Sequence, residues 1–222
     1  MRVAVLLPCL DEEAALPHVL AEIPADCRVV LCDNGSTDRS VEIARAAGAE
    51  IARQPRRGYG GAVLAGMRLL AADPPDVVVV LDADHSTDLA DLPALLAPIR
   101  DGTADMVLGE RLTRGDRGSL TVQQRVGNRL ATALIRARTG VGYRDMGPFR
   151  AIGWTALVSL EMEDPTWGWN VEMQMKAARR GLRVVEVPVV WRARVGTSKI
   201  SGTVSGVVRA GSRILWACWR YG

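Results

Sequence analysis

The sequence predicts an α/β protein whose Rossmann-like, largely parallel central sheet carries helices on both faces. Short runs rich in β-branched residues alternate with helical patterns from the start of the chain. These runs are apolar throughout, which is typical of strands buried on both faces. The resulting β-α-β-α order favours crossover connections and parallel strands. The 222 residues fit one domain spanning residues 1–222.

Strands and helices are expected to alternate through the first half of the chain. A helix capped by Ser36-Thr37-Asp38 ends at Gly48, because Ser, Thr and Asp cap helix starts and Gly ends helices. The expected strands are 3–7, 28–32, 50–53, 77–81 and 105–108. The expected helices are 11–23, the capped helix that runs to 47, 61–72 and 89–100.

The second half of the chain has a less regular pattern. Polar or glycine-rich loops are expected at 115–119, 140–147 and 192–203. Helices are expected at 122–138, 170–180 and 204–219, and a strand interrupted by Pro188 is expected at 184–190.

The composition argues against several classes of function. The chain has 28 basic and 25 acidic residues, a net charge of +3, and no basic tract that suggests nucleic acid. Residues 3–7 are too short for a signal peptide, and no stretch reaches the ~18 apolar residues of a membrane-spanning helix. The four cysteines lack Cys-x-x-Cys spacing and there are two histidines. This favours free thiols in a reducing cytoplasm and argues against a zinc site.

The triplet Asp82-Ala83-Asp84 follows the strongest strand pattern of the chain, 77–81. In an extended strand the two carboxylates lie on one side and repel each other unless a cation lies between them. Mg²⁺ or Mn²⁺ prefers such oxygen ligands and bridges carboxylates to a diphosphate. The alternative is a polar loop that caps the next helix through Asp88, and the triplet alone leaves both interpretations open.

Polar residues also follow the second strand, where Gly35 and a Ser36 or Thr37 cap account for the turn. Asp33 is then left facing the cleft, where it can accept a hydrogen bond from a nucleobase or a ribose. A Rossmann glycine fingerprint and a Walker-type lysine are both missing from the sequence. The glycine-rich segment 58–61 either lets a helix start close to a ligand or forms a plain turn.

In order and spacing these motifs resemble the family 2 glycosyltransferases, which have the GT-A fold. They are most similar to the branch of dolichyl-phosphate mannosyltransferases and related polyprenyl-phosphate glycosyltransferases. The resemblance covers nearly the whole chain. The motifs that carry it are Leu7-Pro8-Cys9-Leu10-Asp11-Glu12, Asp33-Asn34-Gly35-Ser36-Thr37-Asp38, Arg57-Gly58-Tyr59-Gly60, Asp82-Ala83-Asp84, Gly109-Glu110-Arg111, Arg144-Asp145-Met146-Gly147, Glu186-Val187-Pro188-Val189 and Arg194-Val195-Gly196-Thr197-Ser198-Lys199.

The resemblance implies a role for each matched position. It makes 1–110 the nucleotide-sugar-binding half, 111–203 the acceptor-binding half with a mobile loop, and 204–222 a C-terminal amphipathic helix. Arg111 would meet an acceptor phosphate. The donor would contact Pro8, Asp11, Glu12, Asp33, Arg57, Gly58, Asp82, Ala83, Asp84, Arg194, Ser198 and Lys199, with Mg²⁺ or Mn²⁺ on Asp82 and Asp84.

The loop 192–203 has the composition of an anion clamp, because glycines bracket guanidinium, hydroxyl and ammonium groups. We expect it to become ordered when diphosphate and metal bind. Two positions depart from the family pattern. Asn34 replaces a common aspartate, and Ser86 replaces a common glutamine after the Asp-x-Asp triplet, which leaves Thr87 or water to complete a metal site.

The predicted reaction is an inverting transfer from a UDP-glucose or GDP-mannose type donor to a polyprenyl phosphate, by a cytoplasmic enzyme at the inner face of the membrane. The alternatives are transfer to a soluble hydroxyl acceptor and, more remotely, a nucleotidyltransferase or a non-catalytic nucleotide-sugar-binding module. A hydroxyl acceptor requires a general base, for which Asp145 and Glu172 are the candidates. An ionised phosphate acceptor does not.

The pattern of the last helix, 204–219, predicts two faces. Val204, Val207, Val208, Gly211, Leu215 and Cys218 share one face, and Arg209, Ser212, Arg213, Trp216 and Arg220 cluster on the other. Tryptophans beside arginines are typical of helices that lie in a membrane interface. The alternative is that the apolar face packs on the protein's own core while the tryptophans fill a gap or a dimer contact.

Overall fold

The computed structural model describes residues 1–114, 120–196 and 204–221, with side chains described except at 204–210 and 214. In these residues seven strands form one sheet in the order β3-β2-β1-β4-β6-β5-β7. They are β1 (Val3–Cys9), β2 (Arg28–Asp33), β3 (Glu50–Arg53), β4 (Val77–Val80), β5 (Met106–Glu110), β6 (Arg150–Gly153) and β7 (Val184–Pro188). Neighbouring strands are parallel except that β6 runs antiparallel to both β4 and β5.

Helices connect most of the strands. They are α1 (Leu16–Glu22), α2 (Ser40–Ala46), α3 (Tyr59–Leu70), α4 (Leu92–Arg100), α5 (Val122–Thr139), α6 (Trp154–Ser159), α7 (Trp169–Arg179) and α8 (Val204–Tyr221). A short 3-10 turn, Leu89–Asp91, precedes α4.

The sheet separates two apolar clusters, as expected for strands buried on both faces. Along β1, Val5 belongs to the cluster that includes residues of α1, α2 and α4, whereas Leu6 belongs to the cluster that includes residues of α3, α5, α7 and α8. The prediction of a largely parallel sheet with helices on both faces is therefore confirmed. The carboxyl ends of β1, β2, β4 and β5 lie along one edge, because these strands run in the same direction.

The structure corrects several predicted boundaries. The first helix begins at Leu16 instead of 11, because Asp11 has a φ of 54° and the chain turns there. The second begins at Ser40, because Asp38 accepts the Ser40 N–H at 2.9 Å. The cap expected at Ser36 is wrong, because the Ser36 hydroxyl accepts the Asp11 N–H and the helix begins only at Ser40.

Strand β6 and helix α6 were missing from the predicted elements. Strand β6 has four residues and begins with the charged Arg150, so its pattern is too short and too polar to indicate a buried strand. In the structure β6 occupies the position between β4 and β5, where it completes the sheet.

Helix α8 packs against α5 and α7. Its buried side chains include Ala217, Cys218 and Tyr221, whereas Leu215 is 47% exposed and Trp219 is 68% exposed. The predicted apolar face is therefore right for Cys218 and wrong for Leu215, and its valines lie outside the described side chains. In the described part of the chain, no helix combines the length and apolarity needed to span a bilayer.

Candidate functional site

The carboxyl ends of β1 and β2 carry two turns that hold each other in place. The Asp11 carboxylate accepts the Thr37 N–H at 2.6 Å, and the Asp11 N–H donates to the Ser36 hydroxyl at 3.1 Å. The Glu12 N–H donates to the Ser40 hydroxyl at 2.9 Å. These bonds align both turns beside an open cavity of about 390 Å³. It is lined by Asp11, Glu12, Glu13, Ala14, Thr37, Asp38 and Gly196.

Two further predicted donor contacts stand at this edge. Asp33 ends β2 opposite Cys9 and is 7% exposed. One of its carboxylate oxygens accepts the Ser36 N–H at 2.9 Å, so Asp33 also holds the turn that follows it. Pro8 is half-buried and pairs with Cys32.

Asn34 has a structural role that the sequence did not indicate. Its amide nitrogen donates to the carbonyl oxygens of Gln54 at 3.1 Å and Arg56 at 2.9 Å, and its amide oxygen accepts the Gly58 N–H at 2.7 Å. The side chain thus fixes the segment between β3 and α3. An aspartate could make the last bond but neither of the first two, because an ionised carboxylate only accepts. The departure from the family pattern therefore has a physical reason.

Asp82 and Asp84 follow β4 with Ala83 buried between them. Burial raises the pKa of Asp82 to about 7, and the neighbouring Asp84 charge adds to this rise. The Ser86 N–H and hydroxyl both donate to one oxygen of Asp84. A carboxylate pair whose full ionisation is this unfavourable fits a divalent cation, which supplies the missing positive charge.

The two aspartates have no obvious third protein ligand. Across 1–114, 120–196 and 204–221, no group of three His, Cys, Asp or Glu side chains is placed to hold a metal. Ser86 is occupied with Asp84. The buried Thr87 hydroxyl has no hydrogen-bond partner among the described atoms, so it remains available to a ligand.

The segment 191–196 lies along the turn that carries Asp84. Trp191 forms an antiparallel bridge with Thr87, and the Val195 N–H donates to the Asp84 carbonyl oxygen at 2.9 Å. This pairing fixes the backbone on both sides of Arg194. The first part of the predicted mobile loop is thus docked on the site, whereas Ser198 and Lys199 lie outside the described residues.

Arg194 joins carboxylates from two different strand ends. Its guanidinium lies 2.6 Å from a Glu12 carboxylate oxygen and 3.4 Å from an Asp84 carboxylate oxygen. The Arg194 charge also acts on Asp82, where it opposes the rise in pKa. The guanidinium thus places positive charge where the sequence predicts a metal and a diphosphate.

The predicted acceptor side of the site contains an ion pair between Arg111 and Asp145. The guanidinium donates to the two carboxylate oxygens at 2.7 Å and 2.8 Å, and the Arg111 N–H donates at 2.9 Å. Asp145 is fully buried. Burial alone would raise its pKa, but the bonds and charge of Arg111 outweigh this and hold the pKa below its usual value. Asp145 is thus placed to orient Arg111, which favours a positioning role over proton abstraction.

Arg111 also lies beneath the docked segment. Its guanidinium carbon is 5.0 Å from the centre of the Trp191 ring, within cation–π range. The Glu186 carboxylate of β7 accepts the backbone N–H groups of Arg144 and Asp145 at 2.9 Å and 3.1 Å. The position of Arg111 therefore depends on contacts from β7 and from the segment before β6.

Arg150 is a fully buried charge that the sequence analysis missed. It begins β6 and pairs with Val80 at the carboxyl end of β4. Burial lowers the pKa of Arg150 to about 10. The charges of Tyr59, Asp145 and Asp82 raise this pKa and so offset part of the effect of burial. The positive charge of Arg150 therefore interacts with the carboxylates of Asp82 and Asp145. The signal that could have found it is a single arginine inside the apolar run 149–152.

The glycine-rich segment 58–61 packs against residues 165 and 166, a contact that neither of the two interpretations of its sequence included. The Gly60 and Gly61 N–H groups, at the start of α3, donate to Thr166 and Pro165 carbonyl oxygens. A Cβ at Gly58 would lie 2.2 Å from the Pro165 oxygen, so only glycine fits. This end of α3 is thus capped by the protein rather than left open to a ligand. The predicted donor contact Arg57 has an exposed side chain.

Glu172 lies in a structural contact. It is fully buried, and its carboxylate accepts the backbone N–H groups of Glu163 and Asp164, both at 2.8 Å, and the Lys176 ammonium at 2.6 Å. These bonds fasten the segment before α7. The predicted role of Glu172 as a base is thus not supported by its contacts.

The comparisons with known proteins agree with this geometry. The model of the family described as glycosyl transferase family 2 matches residues 4–157. An uncharacterized glycosyltransferase of Mycobacterium tuberculosis (strain H37Rv) is 42% identical over 209 residues, which is 94% of each chain. A dolichyl-phosphate hexose transferase of Haloferax volcanii is 36% identical over 97% of this chain and 93% of its own.

A solved structure shows the same fold. Glucosyl-3-phosphoglycerate synthase from Mycobacterium tuberculosis, crystallised with phosphoglyceric acid, has a TM-score of 0.79 at 23% identity, covering 98% of this chain and 80% of that one. The same synthase has been crystallised with Mn²⁺, UDP and glucosyl-3-phosphoglycerate. The family match over more than half of the chain, the full-length relatives and the GT-A architecture lead to one conclusion: the protein belongs to glycosyl transferase family 2 and is a glycosyltransferase.

Proposed function

We propose that this glycosyltransferase is a hexosyltransferase that moves a sugar from a nucleotide-sugar to a polyprenyl phosphate, with inversion at the anomeric carbon. The observation that carries the proposal is the convergence of Asp82, Asp84 and Arg194 at the carboxyl edge of the sheet. The name of the Haloferax volcanii relative, a dolichyl-phosphate hexose transferase, supports the acceptor class.

On the donor side, Asp82 and Asp84 would hold Mg²⁺ or Mn²⁺, which when bound offsets the charge that grows on the leaving diphosphate. The Mn²⁺ and UDP bound by the synthase support this choice of cofactor and donor. Arg194 stands 3.4 Å from Asp84, so it is placed to pair with diphosphate oxygens once the carboxylates have another counter-ion. Its segment would then also exclude water from the reacting centre.

On the acceptor side, Arg111 would pair with the acceptor phosphate, in the orientation that Asp145 gives it. A phosphate oxygen attacks the anomeric carbon, a new carbon–oxygen bond forms, and the bond to the diphosphate breaks. The nucleoside diphosphate leaves with the electron pair of that bond. An ionised phosphate has no proton to lose, which fits a site where Asp145 is already engaged with Arg111.

The second candidate is transfer to a hydroxyl group of a small phosphorylated acid. The structure of the synthase with phosphoglyceric acid favours it, because Arg111 could bind the phosphate of such an acceptor equally well. This reaction requires a base, since a hydroxyl proton must leave during the attack.

A donor and acceptor panel tests both candidates. Each nucleotide-sugar is first tested by thermal shift with Mg²⁺, with Mn²⁺ and with EDTA, because a genuine donor raises the melting temperature through binding to the native state. The stabilising donor is then incubated with undecaprenyl phosphate or with 3-phosphoglycerate, and release of nucleoside diphosphate is measured. We expect transfer to the polyprenyl phosphate. Transfer to phosphoglycerate alone would support the second candidate, and release of pyrophosphate would contradict both.

A further inference from the structure

Helix α5 carries an apolar stripe that points away from the protein. Val122 is 74% exposed, Val126 is 59% exposed and Leu130 is 49% exposed. Residues four positions apart lie one above the other on a helix, so these three side chains form a continuous row. Ala133 and Ala137, which are also exposed, extend this row toward the end of the helix.

The opposite side of α5 already packs on the protein core. Its buried residues are Asn128, Ala131 and Ile135, which lie about 170° around the helix from the apolar row, given 100° per residue. The helix therefore has two apolar sides. The inner side meets the need for a core contact, so the outer row needs a separate explanation.

Arginines accompany the outer row along one flank. Arg125, Arg129 and Arg136 are exposed, and at 100° per residue they project within about 40° of one another, next to the row. Helix α5 contains four arginines and no aspartate or glutamate. This combination of an apolar row and a uniformly basic flank matches helices that lie in the interface of an anionic membrane.

The neighbouring helix α8 has the same chemistry. It contains three arginines and no acidic residue, and it packs against α5. Trp216 is 39% exposed and Trp219 is 68% exposed, and the Arg213 guanidinium lies 5.3 Å from the centre of the Trp216 ring. Tryptophan with arginine is typical of side chains at the level of lipid headgroups.

We propose that the outer row of α5 docks on an anionic lipid surface, with Val122, Val126 and Leu130 at the boundary between headgroups and acyl chains and the flanking arginines on lipid phosphates. The charge pattern favours lipid over a second copy of this chain. A two-fold contact would place the same arginine-rich surface opposite itself, where like charges repel.

This docking would also bring the acceptor side of the site to the membrane. The Asn128 side chain, on the inner side of α5, accepts the Met146 N–H at 2.8 Å and donates to the Arg144 carbonyl oxygen at 3.1 Å. It therefore contacts the segment that contains Asp145. The inference itself rests on the surface of α5, with support from α8, and is independent of the acceptor in the proposed function.

Vesicle sedimentation of the full chain, without donor or acceptor, tests the proposal. Vesicles of pure phosphatidylcholine are compared with vesicles that contain phosphatidylglycerol, at low and high salt. We expect binding to the anionic vesicles that weakens with salt. The triple variant Val122→Gln, Val126→Gln and Leu130→Gln should lower the partition constant by about tenfold or more, because three apolar side chains no longer insert.

Matched variants test whether the loss of any exposed apolar or basic side chain weakens vesicle binding. Val158→Gln removes a valine that is 51% exposed on α6, and it should bind vesicles like the wild type. The double variant Arg125→Gln and Arg129→Gln should weaken binding to the anionic vesicles, whereas Arg100→Gln on α4 should not. Far-UV circular dichroism and the melting temperature verify that each variant is folded.

Three results would overturn the proposal. First, the wild-type protein would stay in the supernatant with anionic vesicles at low salt. Unchanged binding of the triple variant, with loss of binding only in Trp216→Ala and Trp219→Ala, would assign the contact to α8 alone. A wild-type dimer in size-exclusion chromatography that the triple variant converts to a monomer would assign the row to self-association. Failure to use a polyprenyl phosphate would leave vesicle binding intact, so the two proposals fail separately.

Discussion

The proposed donor side and the proposed acceptor side of the site are built from different kinds of contact. On the donor side, short polar side chains hold backbone groups of neighbouring turns, as Asp11 holds Thr37 and Asn34 holds Gly58. On the acceptor side, buried charges hold one another, as in the pair of Arg111 and Asp145, and the Asp145 charge also acts on the buried Arg150. A single hydrogen bond from a side chain to a neighbouring turn tolerates change better than a buried ion pair, in which the loss of one charge leaves its partner unpaired.

The largest effect is expected at the predicted metal site. Asp84→Asn keeps the size of the side chain but removes a charge from the carboxylate pair. We expect kcat to fall by about 10³-fold, because charge on the leaving diphosphate is no longer offset. Steady-state kinetics with saturating Mn²⁺ measures this. Asp101→Asn, at an exposed position after α4, serves as the control, and equal activity of both variants would contradict the assignment.

Asp145→Asn tests the buried pair on the acceptor side. It leaves Arg111 in place without its counter-ion, and breaking a buried pair in this way costs about 3–5 kcal/mol in the free energy of unfolding. Acceptor KM should also rise, since the orientation of Arg111 is lost. Urea denaturation and acceptor titration measure the two effects.

The chain offers a matched control for this variant. Asp105 and Arg183 form the same three contacts at 2.8 Å, 3.1 Å and 2.7 Å, but on the surface, away from the site. Asp105→Asn should therefore cost much less stability and leave acceptor KM unchanged. If Asp145→Asn and Asp105→Asn lost the same free energy of unfolding, burial would not explain the importance of the Asp145 pair.

Glu172→Gln tests whether Glu172 supports only the folded structure or also takes part in the reaction at the proposed acceptor side. The substitution weakens the bonds to Glu163, Asp164 and Lys176, so the protein should lose about 1–3 kcal/mol of stability. The acceptor KM of the folded variant should stay at the wild-type value. A fall in kcat of several orders of magnitude, with donor binding intact, would instead restore Glu172 as a base and favour a hydroxyl acceptor.

Asn34→Asp tests the donor side by restoring the residue that is common in the family. The carboxylate cannot donate to the Gln54 and Arg56 carbonyl oxygens, so we expect a loss of about 1–3 kcal/mol in the free energy of unfolding. Gln123→Glu makes the same chemical change at an exposed position of α5 and should cause no loss. Unchanged stability of Asn34→Asp would show that the amide bonds contribute little.

The smallest expected effect has opposite signs on two ligands. In Arg194→Ala, the carboxylates of Glu12 and Asp84 lose a competing positive charge, so Mn²⁺ alone should bind about fivefold more tightly, as expected for a partly exposed ion pair. The complex of Mn²⁺ with the nucleotide-sugar should bind less tightly, because the diphosphate loses a partner. Titration calorimetry measures the two affinities. If both affinities rose or both fell, the result would contradict the idea that Arg194 occupies a position between the metal-binding carboxylates and the diphosphate.

The two sides also differ in how far the sequence alone could predict them. Strand β3 was predicted with its observed bounds, and the carboxylates at the ends of β1, β2 and β4 were expected at one edge, because strand direction determines where side chains gather. The contacts of Arg194 with Glu12, 182 positions away, and of Arg111 with Asp145 could not be read from local patterns. They depend on how β6 and β7 enter the sheet, and β6 was too short to be recognised.

The reversed direction of β6 has a consequence for how this fold can change. Strand β5 ends at the carboxyl edge and β6 begins there, so the excursion from 111 to 149 leaves and rejoins the sheet on the same side. No crossover constrains its length, and the four parallel pairings among the other strands do not depend on its path. The exposed parts of this segment could therefore differ in length and sequence, and with them the proposed acceptor contacts, while the core contacts of Ala131 and Ile135 and the strand pairings stay the same.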